Sequence, residues 1–353
     1  MPRTPRLEHL PLIVVIASLG LVFACGTRAP ARKAQPGEPP PLSVADTLAV
    51  ARSYAQAERF DEAVAQYEKA RTMGATGRTE SAELASVYDV KGDYANAERI
   101  YRDWLARVQN DAEFQQQLGL TLLLQKRTDE GVAALKHATE LAPDDLHIQQ
   151  DYGYALLQAG DAKNAERTLK AVVGHDAARS EAWLLLAQAQ WQLSDYEAAI
   201  AACTSALRAD GTNADALRLR ARLRMETDNY ERAFADYELL ARGKPNDAGA
   251  YLGAAGALIA LNRLGEAKTH VERAEKLAGD HPWVRLRKAQ LAWRAGDRMG
   301  YEDLRRIATD HPDSIEVWRD IKDAARKFGD KSTAKEAASQ LARLQRGEPN
   351  PAP

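Results

Sequence analysis

The chain lacks most of the features that announce a chemistry. It has two cysteines, Cys25 and Cys203. A pair so far apart makes no disulfide framework. Its net charge of −2, from 48 Lys/Arg and 50 Asp/Glu, gives no basic footprint for nucleic acid. Its one long apolar run, Leu10 to Ala24, has 15 residues and is interrupted by Pro11 and Gly20. A membrane-spanning helix needs about 20. Seven histidines are present (His9, His137, His147, His175, His270, His281, His311), and none forms an H-E-x-x-H pair or a tight metal spacing. No G-x-S-x-G elbow and no phosphate loop occurs. The expectation is a protein with no catalytic residues, no metal and no cofactor. Cys203, on a core position of the repeat described below, is expected to be a small buried hydrophobe.

What is present begins with composition: 45% apolar and 28% charged residues suit a soluble, helix-rich body. The charge is unevenly placed. Five basic residues (Arg3, Arg6, Arg28, Arg32, Lys33) and two acids (Glu8, Glu38) fall in residues 1–43, so a basic leader precedes a mildly acidic remainder. A positive start before a short apolar run is the pattern of a secretory signal. The run ends in Val22-Phe23-Ala24-Cys25-Gly26, which resembles a bacterial lipobox, with Ala24 before the cut and Val22 third back from the cysteine. That resemblance implies a signal peptide over 1–24, a lipid on Cys25 and stable attachment through several acyl chains. An ordinary cleaved signal and an uncleaved anchor are the alternatives. In the enterobacterial version of the pattern an Asp after the cysteine favours inner-membrane retention. Gly26 there implies the periplasmic face of the outer membrane. Residues 25–43 are rich in Pro, Gly and charge, and read as an extended tether.

Beyond residue 43 the chain repeats itself. Stepping 34 residues from Ala63 gives Ala97, Gly131, Ala165, Ala199, Ala233 and Ala267, all small. Twelve residues upstream another small column runs Ala51, Ala85, Gly119, Gly153, Ala187, Ala221, Ala255, Ala289. Turn formers (Gly92, Gly160, Ser194, Asp228, Asn262, Gly296) stand five residues before the first column. Larger residues (Tyr67, Tyr101, Leu135, Leu169, Cys203, Tyr237, Val271) follow it by four. Spacings of i, i+4, i+7 mark one face of a helix, so each unit is two helices of about a dozen residues around a turn. Small residues at the crossing let the backbones approach, and hairpins this short need their neighbours.

The segments GDYANAERIY (92–101), SDYEAAIAAC (194–203) and GYALLQAGDAKNAERTL (153–169) resemble the tetratricopeptide repeat. The fold class this implies is all-α: a right-handed superhelical solenoid of about nine helix-turn-helix repeats over 44–346. The repeats start near 44, 78, 112, 146, 180, 214, 248, 282 and 315, and a structureless tail follows at 347–353. Closing prolines occur only at Pro143 and Pro245, with Pro312 one place early. Tyr301, Arg305 and Lys322 depart from small or apolar positions in the last two repeats, which reads as polar capping.

In tetratricopeptide proteins the second, fifth, ninth and twelfth positions of each first helix line a concave groove. The resemblance places Gln116, Gln150, Tyr154, Leu157, Leu184, Gln188, Trp191, Arg218, Arg222, Leu252 and Trp293 there. Aromatic anchors with amides suit a peptide or helical segment of another protein. Leu184 and Leu252 fit ordinary packing as well. Arg218 and Arg222, with Arg220 and Arg224, read as a basic strip for an acidic partner or as a solvated face. The carboxylate-clamping chaperone adaptors use Lys and Asn. The first three repeats offer only Arg52, so that ligand class is not expected.

The function expected is a lipid-anchored interaction scaffold in the bacterial envelope, similar to tetratricopeptide lipoproteins that help assemble pilus secretins or outer-membrane proteins. Its partners would be other proteins in the groove and the membrane through the lipid, with no nucleic acid, and a homo-oligomer through solenoid edges is open. An adaptor docking peptidoglycan enzymes is the second reading. A glycan-binding or hydrolytic protein using the groove is the third.

Overall fold

The computed structural model describes residues 42–346 and Glu348. The signal segment, Cys25, the tether up to residue 41 and the rest of the tail lie outside the described residues.

Among the described residues there are 18 helices and no strand. They are α1 (Val44–Gln56), α2 (Phe60–Thr72), α3 (Arg78–Lys91), α4 (Tyr94–Leu105), α5 (Ala112–Leu124), α6 (Thr128–Leu141), α7 (Leu146–Gln158), α8 (Ala162–His175) and α9 (Ser180–Gln192). They continue as α10 (Tyr196–Ala209), α11 (Ala214–Glu226), α12 (Tyr230–Gly243), α13 (Ala248–Ala260), α14 (Leu264–Ala278), α15 (Pro282–Ala295), α16 (Arg298–Asp310), α17 (Ile315–Lys327) and α18 (Lys331–Gln345). Odd-numbered helices open every 34 residues from Val44 to Pro282, and the last opens one residue early.

Each hairpin turns at one residue with positive φ: Glu58, Gly92, Lys126, Gly160, Ser194, Asp228, Asn262, Gly296 and Gly329. Gly, Asn, Asp and Ser were legible as turn formers. Glu58 and Lys126 were not, because their side chains gain nothing in the left-handed region and are held there by the packing of the helices they join. Helix starts are capped by short polar side chains that satisfy otherwise unpaired N–H groups, as with Asp93 to Asn96 N, Asp111 to Phe114 N, Asn213 to Ala216 N and Asp330 to Thr333 N.

The described residues divide into two units, one ending at Asp151 and the other beginning at Tyr152, within α7. In the N-terminal unit α1 packs on α2, α3 on α4 and α5 on α6, and each pair leans on the next. Ala51, Ala63, Ala85 and Ala97 are fully buried at the crossings. Glycines serve the same crossing in α5 and α6. A Cβ on Gly131 would lie 2.9 Å from the Gly119 carbonyl oxygen, so the two backbones touch where a side chain would intrude. Tyr67, Tyr88, Tyr101, Phe114 and Leu122 fill the space between hairpins.

The C-terminal unit stacks the remaining hairpins in the same way, around Leu185, Leu223, Leu240, Leu258 and Leu304. Cys203 is buried there as expected, and burial pushes its thiol up to about 12. The eighth repeat corrects one expectation. A Cβ on Gly300 would lie 2.5 Å from the Trp293 nitrogen and 2.7 Å from the Ala289 oxygen, so Gly300 takes the crossing one residue early. Tyr301, read as a polar departure, is wholly buried. It stacks on Phe328 at 5.8 Å and its hydroxyl donates to Asp330 at 2.9 Å, tying this repeat to the next. Arg305 is exposed and Lys322 half-buried, with Val317, Ile321, Ala324 and Ala325 carrying the packing of α17.

Candidate functional site

The first helix of each hairpin carries the positions at which a ligand was expected, and most of their polar side chains are already engaged. In the N-terminal unit Arg52 on α1 donates from Nε to Glu83 on α3 at 2.9 Å. Arg78 reaches Asp111 at 2.8 Å and Glu113 at 2.6 Å. The Gln116 amide on α5 donates to Asp151 on α7 at 2.6 Å. Burial pushes the Asp151 carboxyl up to about 6, since an amide brings no charge to offset lost hydration. Gln150 beside it is half-buried.

In the C-terminal unit, Leu157, Leu184, Leu252 and Trp293 are buried. They pack helix against helix and present almost no surface to a ligand. Tyr154 is half-buried. What remains accessible is centred on α9 and α11. Gln188 and Trp191 are half-buried on α9. Arg222 of α11 lies over Trp191, its Cζ 4.6 Å from the ring centroid, and its side chain is 52% exposed. Its one carboxylate neighbour is Glu226, at 3.7 Å. A stacked guanidinium keeps its outward N–H donors while the indole fixes its plane. Arg218, one turn earlier, donates to Asp247 at 2.7 Å. Burial works to raise the Asp247 carboxyl, but Arg218 and the N–H groups of Ala250 and Gly249 hold it below its ordinary value.

The strip of four arginines is therefore not one surface. Arg220 and Arg224 turn inward to Asp236 of α12, which is 2% exposed. Arg220 Nε and Nη2 donate to its two oxygens at 3.0 and 2.7 Å, and Arg224 Nη1 donates at 2.6 Å. Arg218, Arg220, Arg222 and Arg224 alternate in sequence, while a helix turns about 100° per residue, so two face in and two face out. The sequence contained a signal for this: Asp236 lies three residues after Ala233, on the buried stripe. An acid there requires a cation on the facing helix. A second inward network joins Arg287 and Gln290 to Glu316, and Gln290 and Arg294 to Asp320 at 2.6 and 3.1 Å. Neither network was anticipated. Among the described residues no group of His, Cys, Asp and Glu is placed to hold a metal ion.

The tetratricopeptide-repeat profile matches residues 112–145 and 153–214, spans that include α9 and the start of α11. The chain is a tetratricopeptide-repeat protein. No curated protein matches this tetratricopeptide-repeat chain in sequence. Among solved structures it resembles a tetratricopeptide repeat protein from Parabacteroides merdae, with 15% identity and a TM-score of 0.51 over 70% of this chain and 98% of that one. It also resembles PilF of Pseudomonas aeruginosa, with 17% identity and a TM-score of 0.50 over 60% and 96%. MamA from Desulfovibrio magneticus shares 20% identity with a TM-score of 0.45 over 49% and 99%. At such identities the likeness is one of fold.

Proposed function

We propose that this tetratricopeptide-repeat protein is a scaffold that holds a segment of another protein against α9 and α11. We further propose that a lipid on Cys25 keeps it at the outer membrane of a bacterial envelope, where it serves the assembly of a larger machine. The observation that supports the binding surface is the Trp191–Arg222 pair: an exposed guanidinium planed on an indole, beside Gln188, where neighbouring charges are spent on inter-repeat pairs. The indole supplies apolar area, Gln188 a donor and an acceptor for peptide groups, and Arg222 a cation for an acidic residue.

The test is affinity capture from native envelope with the full chain and with a variant carrying Gln188→Ala, Trp191→Ala and Arg222→Glu. None of the three sites is fully buried, so helicity by circular dichroism should be kept. A partner captured by the parent and lost by the variant is the expected result. The same partners at the same yield from both chains would move the site elsewhere. For the anchor, Cys25→Ser should abolish metabolic labelling by palmitate and release the chain from membranes; labelling that persists would remove the lipid from the proposal.

A further inference from the structure

The sixth repeat puts an arginine where three other repeats put a buried leucine. At the position of Arg224 on α11 stand Leu122 in the third repeat, Leu156 in the fourth and Leu258 in the seventh. Packing alone does not call for a guanidinium there. Neither does Asp236 of α12. Arg220 already holds both of its oxygens, through Nε at 3.0 Å and Nη2 at 2.7 Å, and places its last nitrogen on the Thr204 hydroxyl at 3.1 Å. Arg220 and Asp236 are a balanced pair, and Arg224 is a second cation beside them.

Only Nη1 of Arg224 is engaged, donating to Asp236 at 2.6 Å and to the Arg232 carbonyl at 3.3 Å. Its Nε and Nη2 donate to no group among the described residues, and neither is sealed from the surface. These two nitrogens share one edge of the guanidinium, the edge by which Arg220 holds Asp236, so Arg224 presents a free two-pronged donor. Arg232 on α12 is exposed, and its side chain has no hydrogen-bond or ion-pair partner among the described residues. Burial, with the charges of Arg220 and Arg232, holds the Arg224 guanidinium below its ordinary value, although Asp236 pulls the other way. Three guanidiniums thus meet one carboxylate, in a largely closed setting where surplus charge is costly. Arg222 lies about 200° around α11 from Arg224, so this cluster is separate from the Trp191–Arg222 surface.

We propose that Arg224, backed by Arg232, binds an oxyanion, a phosphate or carboxylate group seated on its Nε–Nη2 edge, which makes the α11–α12 side a second binding face. The test is thermal melting of the full chain, followed by circular dichroism, with sodium phosphate or sodium acetate exchanged against sodium chloride at constant ionic strength. Phosphate should raise the Tm along a curve that saturates. Arg224→Leu restores the residue of the other repeats and leaves the Arg220–Asp236 pair intact; it should weaken the apparent affinity about tenfold or more. Arg224→Lys keeps the charge without the two-pronged edge and should weaken it nearly as much. Arg232→Ala, at an exposed site, should weaken it about threefold, and it decides the matter if the Arg224 variants do not fold. Saturation by phosphate and not by acetate assigns the site to phosphate groups, and saturation by acetate extends it to carboxylates. A rise that never saturates, or that is equal in the parent, Arg224→Leu and Arg232→Ala, is the effect of phosphate on any fold and overturns the proposal. An Arg224→Lys chain that binds as tightly as the parent would overturn the two-pronged geometry.

Discussion

The two units solve the same packing problem with different chemistry. The N-terminal unit fills the gaps between hairpins with hydroxylated aromatics, and two of its half-buried acids, Asp89 and Asp151, face neutral donors, while Asp111 pairs with Arg78. Asp89 accepts from Tyr101 and Thr121, each at 2.9 Å, and Asp151 accepts from Gln116. Burial wins at both, and each carboxyl is pushed up to about 6. The C-terminal unit uses alanine and leucine and sets its buried acids against guanidinium groups. Burial works against ionised Glu316 as well, yet Arg287 and Gln290 hold that carboxyl below its ordinary value. Asp320 has Arg294 and Gln290 but also the Glu316 charge nearby, and burial keeps it raised. The lesson is that neutral donors leave these buried carboxyls raised, whereas a cation lowers one where no second buried acid competes for it, as at Glu316 but not at Asp320.

The largest effect that would sharpen this contrast is at Asp236. Asp236→Ala leaves Arg220 and Arg224 buried without a counter-charge, which should cost about 3–5 kcal/mol. Urea unfolding followed by helicity should show a transition moved to lower denaturant, and an unmoved one would mean that the triad is solvated rather than structural. Next is Gly131→Ala in the N-terminal unit, whose new methyl would meet the Gly119 oxygen at 2.9 Å and the Leu123 side chain at 2.8 Å. Overpacking of this kind should cost about 1–3 kcal/mol, read as a lower Tm. If the α5–α6 crossing has slack, the Tm will not fall.

A similar but pH-dependent effect is expected at Asp89. Its folded pKa, about 6, lies above the unfolded value, so the carboxyl contributes stability that is complete below about pH 4 and lost as pH rises through about 6. Asp89→Asn should remove that dependence, so that the stability gained on going from about pH 7.5 to about pH 5 is smaller than in the parent by about 1.4 kcal/mol. Melting curves at the two pH values decide it: equal pH dependence in parent and variant would make the N-terminal unit no different from the other. The smallest effect concerns the turns. Lys126→Gly should raise stability by about 1 kcal/mol, because a lysine at φ 65° is held against its preference. Asn262→Gly should gain less, since Asn visits the left-handed region readily. A loss at Lys126 would show that its side chain is needed in the turn.

How far the site was legible can be seen at α11. Its boundaries follow from the 34-residue spacing, and Ala221 was legible as a crossing residue because a small residue recurs at that position in the first eight units. Arg218 and Arg222 were legible as outward-facing on the same grounds. The partners of Arg220 and Arg224 were not, because Asp236 belongs to another helix and sits where the pattern places apolar residues. Leu157, Leu184, Leu252 and Trp293 fell on groove positions, and only the neighbouring hairpins show them to be closed to a ligand.

By itself the sequence determined the period, the two-helix unit, the crossings and most of the turns, because these are local: they depend on residues a few positions apart on one helix, and repetition turns a weak local signal into a strong one. Tertiary structure alone decided that Gly300 takes the crossing ahead of Tyr301, that Glu58 and Lys126 adopt left-handed turns, and that one arginine strip divides into a buried triad and an exposed Trp191–Arg222 surface. Each of these depends on what a second helix brings to within a few ångströms, and a pattern along one chain segment carries no record of that distance.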